Sequence, residues 1–232
     1  MKVSLVAKTT GVNKYSELDS EEIVAAIARH GIIKEDEGKL IKYLMDVKHV
    51  SPLDMINFVF EIETSLSIGR QLLRHSSIKP QEHSLRYSKS IGFEPIELRM
   101  QSESNRQSST EVFDPELEEY GYRFRDQEIF LMSDPKASEC ILHHLQSVEK
   151  LYNELLSKGV AKECARFILP NCTTTVMSFN GTLRSWLSLL NVRMDHHAQK
   201  ECRLIAELIG EELEAEMPNI FGRIDWRKGM FL

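Results

Sequence analysis

The sequence predicts a mixed α/β fold, of the α+β kind, in one domain spanning residues 1–232. Three observations carry that reading. Short runs rich in β-branched and aromatic residues, such as Ile56 to Ile62, have the length and composition of strands. Longer stretches, above all those after Pro135 and His196, space their apolar residues as helices do. The 232 residues, 42% hydrophobic and 28% charged, suffice for a core without staples, and no linker divides them.

In chain order, Val3 to Ala7 alternates and reads as a first strand. Asp19-Ser20-Glu21-Glu22 is a helix start, with Ser20 as its cap and acids in the first turn. That helix carries Ile23, Val24 and Ile27 and ends near Gly31. A second helix, from about Glu37 to Val47, puts Leu40, Ile41, Leu44 and Met45 on one face. His49-Val50-Ser51-Pro52-Leu53-Asp54 marks a break before the strand Ile56 to Ile62. Ser65 to Arg74 has helical spacing, and Pro80 prevents that helix from continuing. Glu97 to Met100 reads as a strand and the polar run Gln101 to Thr110 as a loop. A long helix follows Asp134-Pro135, with Asp134 as cap and Gly159 as stop. A shorter helix, Ala161 to Phe167, ends before Pro170. Cys172 to Ser178 reads as a strand, and Thr182 to Leu190 and His196 to Met217 as helices.

The totals exclude several classes. With 29 basic against 35 acidic residues the net charge is −6, the wrong sign for a general nucleic-acid binder. The four cysteines, Cys140, Cys164, Cys172 and Cys202, form no C-x-x-C pair and read as buried, reduced thiols. The N-terminal apolar run is too short for a signal peptide, and no apolar stretch is long enough for a membrane span. The expected location is cytoplasmic, with no nucleic-acid or membrane partner.

Against that acidic background, RQLLRHSSIKPQEHSLRYS, from Arg70 to Ser88, gathers Arg70, Arg74 and Arg86 with His75 and His83. Arg70 and Arg74, four apart, share a helical face. In an extended stretch after Pro80, Glu82, Ser84 and Arg86 point to one side. Guanidinium forks suit phosphate because they donate paired, charge-assisted hydrogen bonds. The segment therefore predicts a site for a phosphorylated ligand, with Glu82 fixing an N–H or hydroxyl. A solvated face with surface ion pairs accounts for the same composition.

This segment resembles the signature of the flavin-dependent thymidylate synthases, R-H-R followed about seven residues later by S-x-R. Here it stands as Arg74-His75-Ser76, then Ser84-Leu85-Arg86. Other blocks are similar to the family's in the same order over about residues 49–200. His49 to Asp54 is similar to H-x-[ST]-P-F-E, and Phe58 to Arg74 to the family's strand and helix leading into the signature. Leu98 to Gln107 is similar to a loop in some members. GVAKECARFILP (Gly159 to Pro170) resembles G-[IV]-A-x-x-x-A-R-x-x-L-P. GTLRSWLSLLNVRMDHHAQ (Gly181 to Gln199) resembles N-x-R-S-x-x-x-F-x-x-L-R-x-D-x-H-A-Q. Each block is short; their order carries the resemblance.

The resemblance implies a central, mostly antiparallel sheet flanked by helices, of the thymidylate synthase-complementing type. It implies reductive methylation of dUMP to dTMP with FAD, NADPH and methylenetetrahydrofolate, in a homotetramer and without a cysteine nucleophile. By position, Gln71, Arg74, Ser84, Leu85, Arg86, Arg166 and Arg193 would bind dUMP, with Arg193 and Ser84 closest to the chemistry. Arg74, His75, Ser76, Glu82, Ser188 and His197 would meet FAD, and His49 the folate. This chain departs from the pattern at Ser76, where the family has arginine, and at Leu53 and Asp54 of the first block. Ser76 motivates an alternative: a methylase of another pyrimidine nucleotide such as UMP, or a flavin and nucleotide binder without turnover. A metal-dependent nucleotide hydrolase built on His143-His144 and Asp195-His196-His197 is a reading of another class. Adjacent histidines on a helix point about 100° apart, and no H-x-x-x-H spacing appears, so no metal site is expected.

Overall fold

The computed structural model describes residues 1–34, 37–84, 92–106, 108–124 and 127–229. Its strands are β1 (Lys2–Lys8), β2 (Asn57–Ser65), β3 (Lys79–Glu82), β4 (Arg99–Gln101), β5 (Ser109–Val112), β6 (Glu119–Phe124), β7 (Gln127–Ser133) and β8 (Thr174–Thr182). Its helices are α1 (Ser20–Ala28), α2 (Glu37–Asp46), α3 (Leu66–Leu72), α4 (Ala137–Ser157), α5 (Lys162–Ala165), α6 (Leu183–Arg193), α7 (Lys200–Glu216) and α8 (Pro218–Phe221). The chain divides into two compact units, residues 1–83 with 175–232, and residues 84–174.

The first unit holds a four-stranded sheet in the order β1-β2-β8-β3. β1 runs antiparallel to β2 and β3 antiparallel to β8, with Lys79 opposite Asn180 and Glu82 opposite Met177. The α/β architecture with an antiparallel sheet and flanking helices is the expected one. One face of β2 buries Phe58, Phe60 and Ile62, and the matching face of β8 buries Met177 and Phe179, which is the alternation a half-covered sheet requires. Trp186 of α6 lies against that face: its indole N–H donates to the Phe58 carbonyl at 3.1 Å, and its ring meets Phe60 edge-on at 4.9 Å. α7 adds Ile205, Ala206, Ile209 and Leu213 to the same core. Gly69 lets α3 lie close to the sheet, since a Cβ there would stand 2.8 Å from the Met177 sulfur.

Several helix starts differ from the sequence expectation. The cap of α1 is Asp19, not Ser20. Its carboxylate accepts from the Glu22 N–H at 2.8 Å while Glu22 accepts from the Asp19 N–H at 2.8 Å, a reciprocal box that a serine one residue later cannot form. α3 ends at Leu72, so Arg74 lies beyond it and shares no helical face with Arg70. α7 begins at Lys200 rather than His196.

In the second unit β4 and β5 pair as one hairpin and β6 and β7 as another. The polar run Gln101 to Thr110 is therefore not a free loop: its two ends lie in the paired strands of a hairpin. α4 starts at Ala137 behind Lys136. Asp134 is not its cap: it sits at φ +51°. Asp114 takes that task from a distance, accepting from the Ser138 N–H at 2.9 Å and hydroxyl at 2.6 Å. α4 buries Cys140, Val148 and Tyr152 but leaves Leu142 and Leu151 exposed. All four cysteines are free; Cys140 and Cys202 are buried as expected, whereas Cys164 is exposed.

Candidate active site

Three chain segments of the first unit meet around Arg193. The first is the end of α3, which supplies Gln71 in its last turn and His75 just beyond. The second is the last turn of α6, which ends on Arg193. The third is the turn 195–199 with the start of α7. The Arg193 Nη2 donates to the Gln71 carbonyl at 2.8 Å, a helix-end carbonyl that also accepts from the Arg74 N–H at 3.3 Å. The Arg193 Nε is buried with no acceptor among the described residues. A buried cationic donor without a partner is costly, and its geometry suits an anionic or carbonyl ligand.

His75 is half-buried. Burial, and after it the neighbouring Arg193 charge, push its pKa below the ordinary 6.5, so its imidazole is held neutral. Burial pushes the Cys202 thiol up, opposed by the same guanidinium. A buried, protonated thiol is a poor nucleophile.

The turn after α6 is tied by its own polar groups. Asp195 Oδ1 accepts from the His197 backbone N–H at 2.7 Å and pairs with its ring Nδ1 at 2.8 Å. Those two bonds, in that order, hold the Asp195 carboxyl below its usual range. An ionised carboxylate only accepts, so His197 Nδ1 is the donor of this pair and Nε2 is the ring nitrogen left for another partner. Arg203 of α7 donates to the carbonyls of His196 and Ala198, at 3.1 and 2.5 Å. His196 and His197 thus stand in a turn and not on a helix, with ring centroids 3.7 Å apart. With Asp195 they bring one donor atom each within 4.8 Å of one another. The carboxylate is already engaged by His197, and both rings are exposed.

The remaining predicted residues are placed as follows. Arg74 and Ser76 are exposed after α3, and the Ser76 carbonyl accepts from Lys79 Nζ at 3.2 Å. Glu82 ends β3 and accepts from the Thr175 hydroxyl at 3.0 Å. Ser188 is exposed on α6. His49 is exposed, with its backbone N–H on the Leu44 carbonyl at 2.8 Å. Its block is anchored by Asp54, which accepts from the Thr182 hydroxyl at 3.1 Å and from Arg184 at 3.0 Å. Those residues begin α6, and Arg193 ends it about 15 Å away by helical rise. In the second unit Ser84 is half-buried, and Arg166 is exposed where α5 passes into a 3-10 turn. Leu85 and Arg86 lie outside the described residues, so the expected row of Glu82, Ser84 and Arg86 is described only in its first two members. Two cavities of the second unit, of about 600 and 500 Å³, have linings that include Ile96, Ile141 and Leu145. None of the residues that the resemblance assigns to dUMP, FAD or folate lines either, whereas His144 lines the first.

A profile of the thymidylate synthase complementing protein family matches residues 5–219. The chain belongs to that family. It is similar to the flavin-dependent thymidylate synthase of Synechocystis, 33% identical over 212 residues that cover 90% of this chain and 91% of the relative. It is similar to the probable flavin-dependent thymidylate synthase of Paramecium bursaria Chlorella virus 1, 33% identical with 89% and 91% covered. The Dictyostelium discoideum flavin-dependent thymidylate synthase is 35% identical, with 76% of this chain and 54% of that protein covered.

In this member of the family, sequence reasoning missed three contributors to the Arg193 cluster. Gln199 bonds the Gln71 side chain, Arg203 pins the turn, and the buried Cys202 thiol feels the Arg193 charge. Gln199 stood in the last quoted block, H-A-Q, but only the fold brings it to Gln71.

Proposed function

We propose that the protein is a flavin-dependent thymidylate synthase. It converts dUMP to dTMP with FAD, NADPH and methylenetetrahydrofolate, as one functional domain within a cytoplasmic homotetramer. No described helix is long and apolar enough to cross a membrane. The relatives at 33–35% identity carry the synthase name, which favours this reading over a UMP methylase or a binder without turnover.

The observation that carries it is Arg193: a guanidinium anchored to the Gln71 carbonyl, beside a neutral histidine, with its buried Nε still able to donate. Methyl transfer to C5 of a uracil places negative charge on the ring. A fixed cationic donor, already desolvated, stabilises that charge without reorganising. Arg193 is assigned that task, and Ser84 is assigned to the same reacting region. Gln71, Arg74, Leu85, Arg86 and Arg166 are assigned to holding dUMP, the arginines by charge-assisted bonds to its phosphate and carbonyls.

Arg74, His75, Ser76, Glu82, Ser188 and His197 are assigned to FAD, and His49 to the folate. The donor set fits a flavin. The exposed His197 ring has its Nε2 left for a ligand, the lowered pKa of His75 favours its uncharged form, and Glu82 accepts from N–H or O–H. When bound, the flavin supplies the redox chemistry; the protein orients it and the nucleotide. The buried, protonated Cys202 agrees with a reaction that needs no thiolate.

The test is incubation of the purified protein with FAD, NADPH, methylenetetrahydrofolate and dUMP, with UMP in parallel and dTMP read by chromatography. Formation of dTMP from dUMP, lost in Arg193→Ala, is the expected result. Methylation of UMP alone, or flavin retention with no product, sinks the proposal.

A further inference from the structure

The Gln71 side chain is part of a chain of amides with a fixed direction. Its Nε2 donates to Gln199 Oε1 at 2.5 Å, and Gln199 Nε2 donates to Glu201 Oε2 at 2.9 Å. The direction follows from the last member. An ionised carboxylate has no proton to give, so Gln199 must turn its NH2 to Glu201 and its oxygen to Gln71. Only the NH2 of Gln71 then satisfies that oxygen, which leaves Gln71 Oε1 as an acceptor. No donor among the described residues reaches it.

Two further observations separate this arrangement from a chance surface contact. Gln199 holds the N-cap position of α7, yet its side chain makes no capping bond. Ser, Thr, Asp or Asn there would supply that bond. The chain forgoes that gain and spends the side chain on Gln71. The backbone on both sides of the relay is also pinned, by Arg193 on the Gln71 carbonyl and by Arg203 on the carbonyls of His196 and Ala198.

We propose that Gln199 and Glu201 are positioning residues that lock the Gln71 amide with its oxygen toward the nucleotide. Gln71 then accepts from an N–H or O–H of the ligand and rejects an analogue that lacks that donor. The inference rests on the synthase reading and deepens it. A pyrimidine N3–H and a sugar 3′-hydroxyl share the required chemistry. Without the relay the amide turns freely and presents either end.

The experiment measures dUMP dissociation constants of the FAD-loaded protein by equilibrium dialysis, beside N3-methyl-dUMP and 2′,3′-dideoxy-UMP. Gln199→Leu is expected to weaken dUMP about five- to tenfold, the worth of one neutral hydrogen bond. It is also expected to shrink the discrimination against one analogue, which identifies the donor. The double variant Gln199→Glu/Glu201→Gln reverses the bond between those two residues, so that 201 donates to 199, but keeps 199 as the acceptor from Gln71. It is expected to restore both affinity and discrimination. Unchanged discrimination in Gln199→Leu, or a double variant as weak as the single one, overturns the relay. Should the wild type bind no dUMP, the synthase reading fails separately. A double-mutant cycle of Gln71→Leu and Gln199→Leu on the melting temperature of the ligand-free protein then decides the relay: coupling supports it, and simple additivity refutes it.

Discussion

Gly210 lies in the middle of α7, the helix whose N-terminus carries Gln199 and Cys202. A Cβ there would stand 2.1, 2.5 and 2.5 Å from three carbons of the Trp226 indole, where ordinary contact needs at least 3.4 Å. The ring cannot yield as a flexible side chain does. Trp226 is 1% exposed, meets Phe221 edge-on at 6.0 Å and lies under the Arg227 guanidinium at 4.1 Å. Gly210→Ala therefore sets two effects against each other. Helix propensity favours alanine by about 1 kcal/mol. Overpacking a filled core costs roughly 1–3 kcal/mol, and the required shift of more than an ångström in a rigid ring puts this site at the upper end. The net expectation is a loss of about 1–2 kcal/mol, which for a chain of this size lowers the melting temperature by roughly 2–8 °C. Calorimetry of the wild type and of Gly210→Ala measures it. Paired with Trp226→Leu, the alanine should cost much less than it does alone. A melting temperature equal to or above the wild type in the single variant would show that propensity wins and that the contact with Trp226 does not constrain α7.

Arg193→Lys keeps the charge but loses the fork that reaches the Gln71 carbonyl. One charge-assisted bond is worth about 1.5–3 kcal/mol, so kcat/KM for dUMP should fall about ten- to 150-fold, and an unchanged value refutes the anchor. His75 has a folded pKa below its ordinary 6.5, so the unfolded chain binds its proton first. Its share of stability is complete above that value and is lost as pH falls from 6.5 through the folded pKa. Urea titrations between pH 5 and pH 8 should show that slope reduced in His75→Gln. Glu21 is 4% exposed and accepts from the Ile220 N–H at 2.9 Å and from Asn219 at 2.7 Å, yet desolvation outweighs those bonds and raises its pKa above 4.5. Its contribution is complete below 4.5 and is lost as pH rises through the raised folded value. The melting temperature of the wild type should therefore decline relative to Glu21→Gln over that rise, and a pH-independent difference counts against it.

The sheet and the helices over it were legible because their signals are local and periodic: Phe58, Phe60 and Ile62 alternate, and Ile205, Ile209 and Leu213 recur every turn. The errors lie at ends, where one polar side chain decides. Asp19 outcompetes Ser20 because only Asp19 stands three residues before Glu22. Asp195 captures the His197 N–H and so delays α7 to Lys200, which places both histidines in a turn. The β6–β7 hairpin carries only a short signal, Tyr120, Tyr122 and Phe124 at spacing two. At the site, Gln71 and Arg193 could be named from their blocks because the spacing within each block is short. The bond from Gln71 to Gln199 spans 128 residues, and no local pattern announces a contact formed only when α3 packs against α7.

Ser76 is the main departure from the family signature, and the structure gives it a physical context. The exposed turn after α3 does not lose its cation when arginine gives way to serine. Lys79, three residues on in the edge strand β3, places its ammonium on the Ser76 carbonyl. It carries the same charge, but as a point donor instead of a planar fork. Attraction for an anionic group at this turn is thereby retained, whereas bidentate recognition is not. Arg74 beside it, exposed, carries a guanidinium of its own. The change at Ser76 therefore alters the donor at this turn, and it leaves the Arg193 guanidinium and its bond to the Gln71 carbonyl untouched.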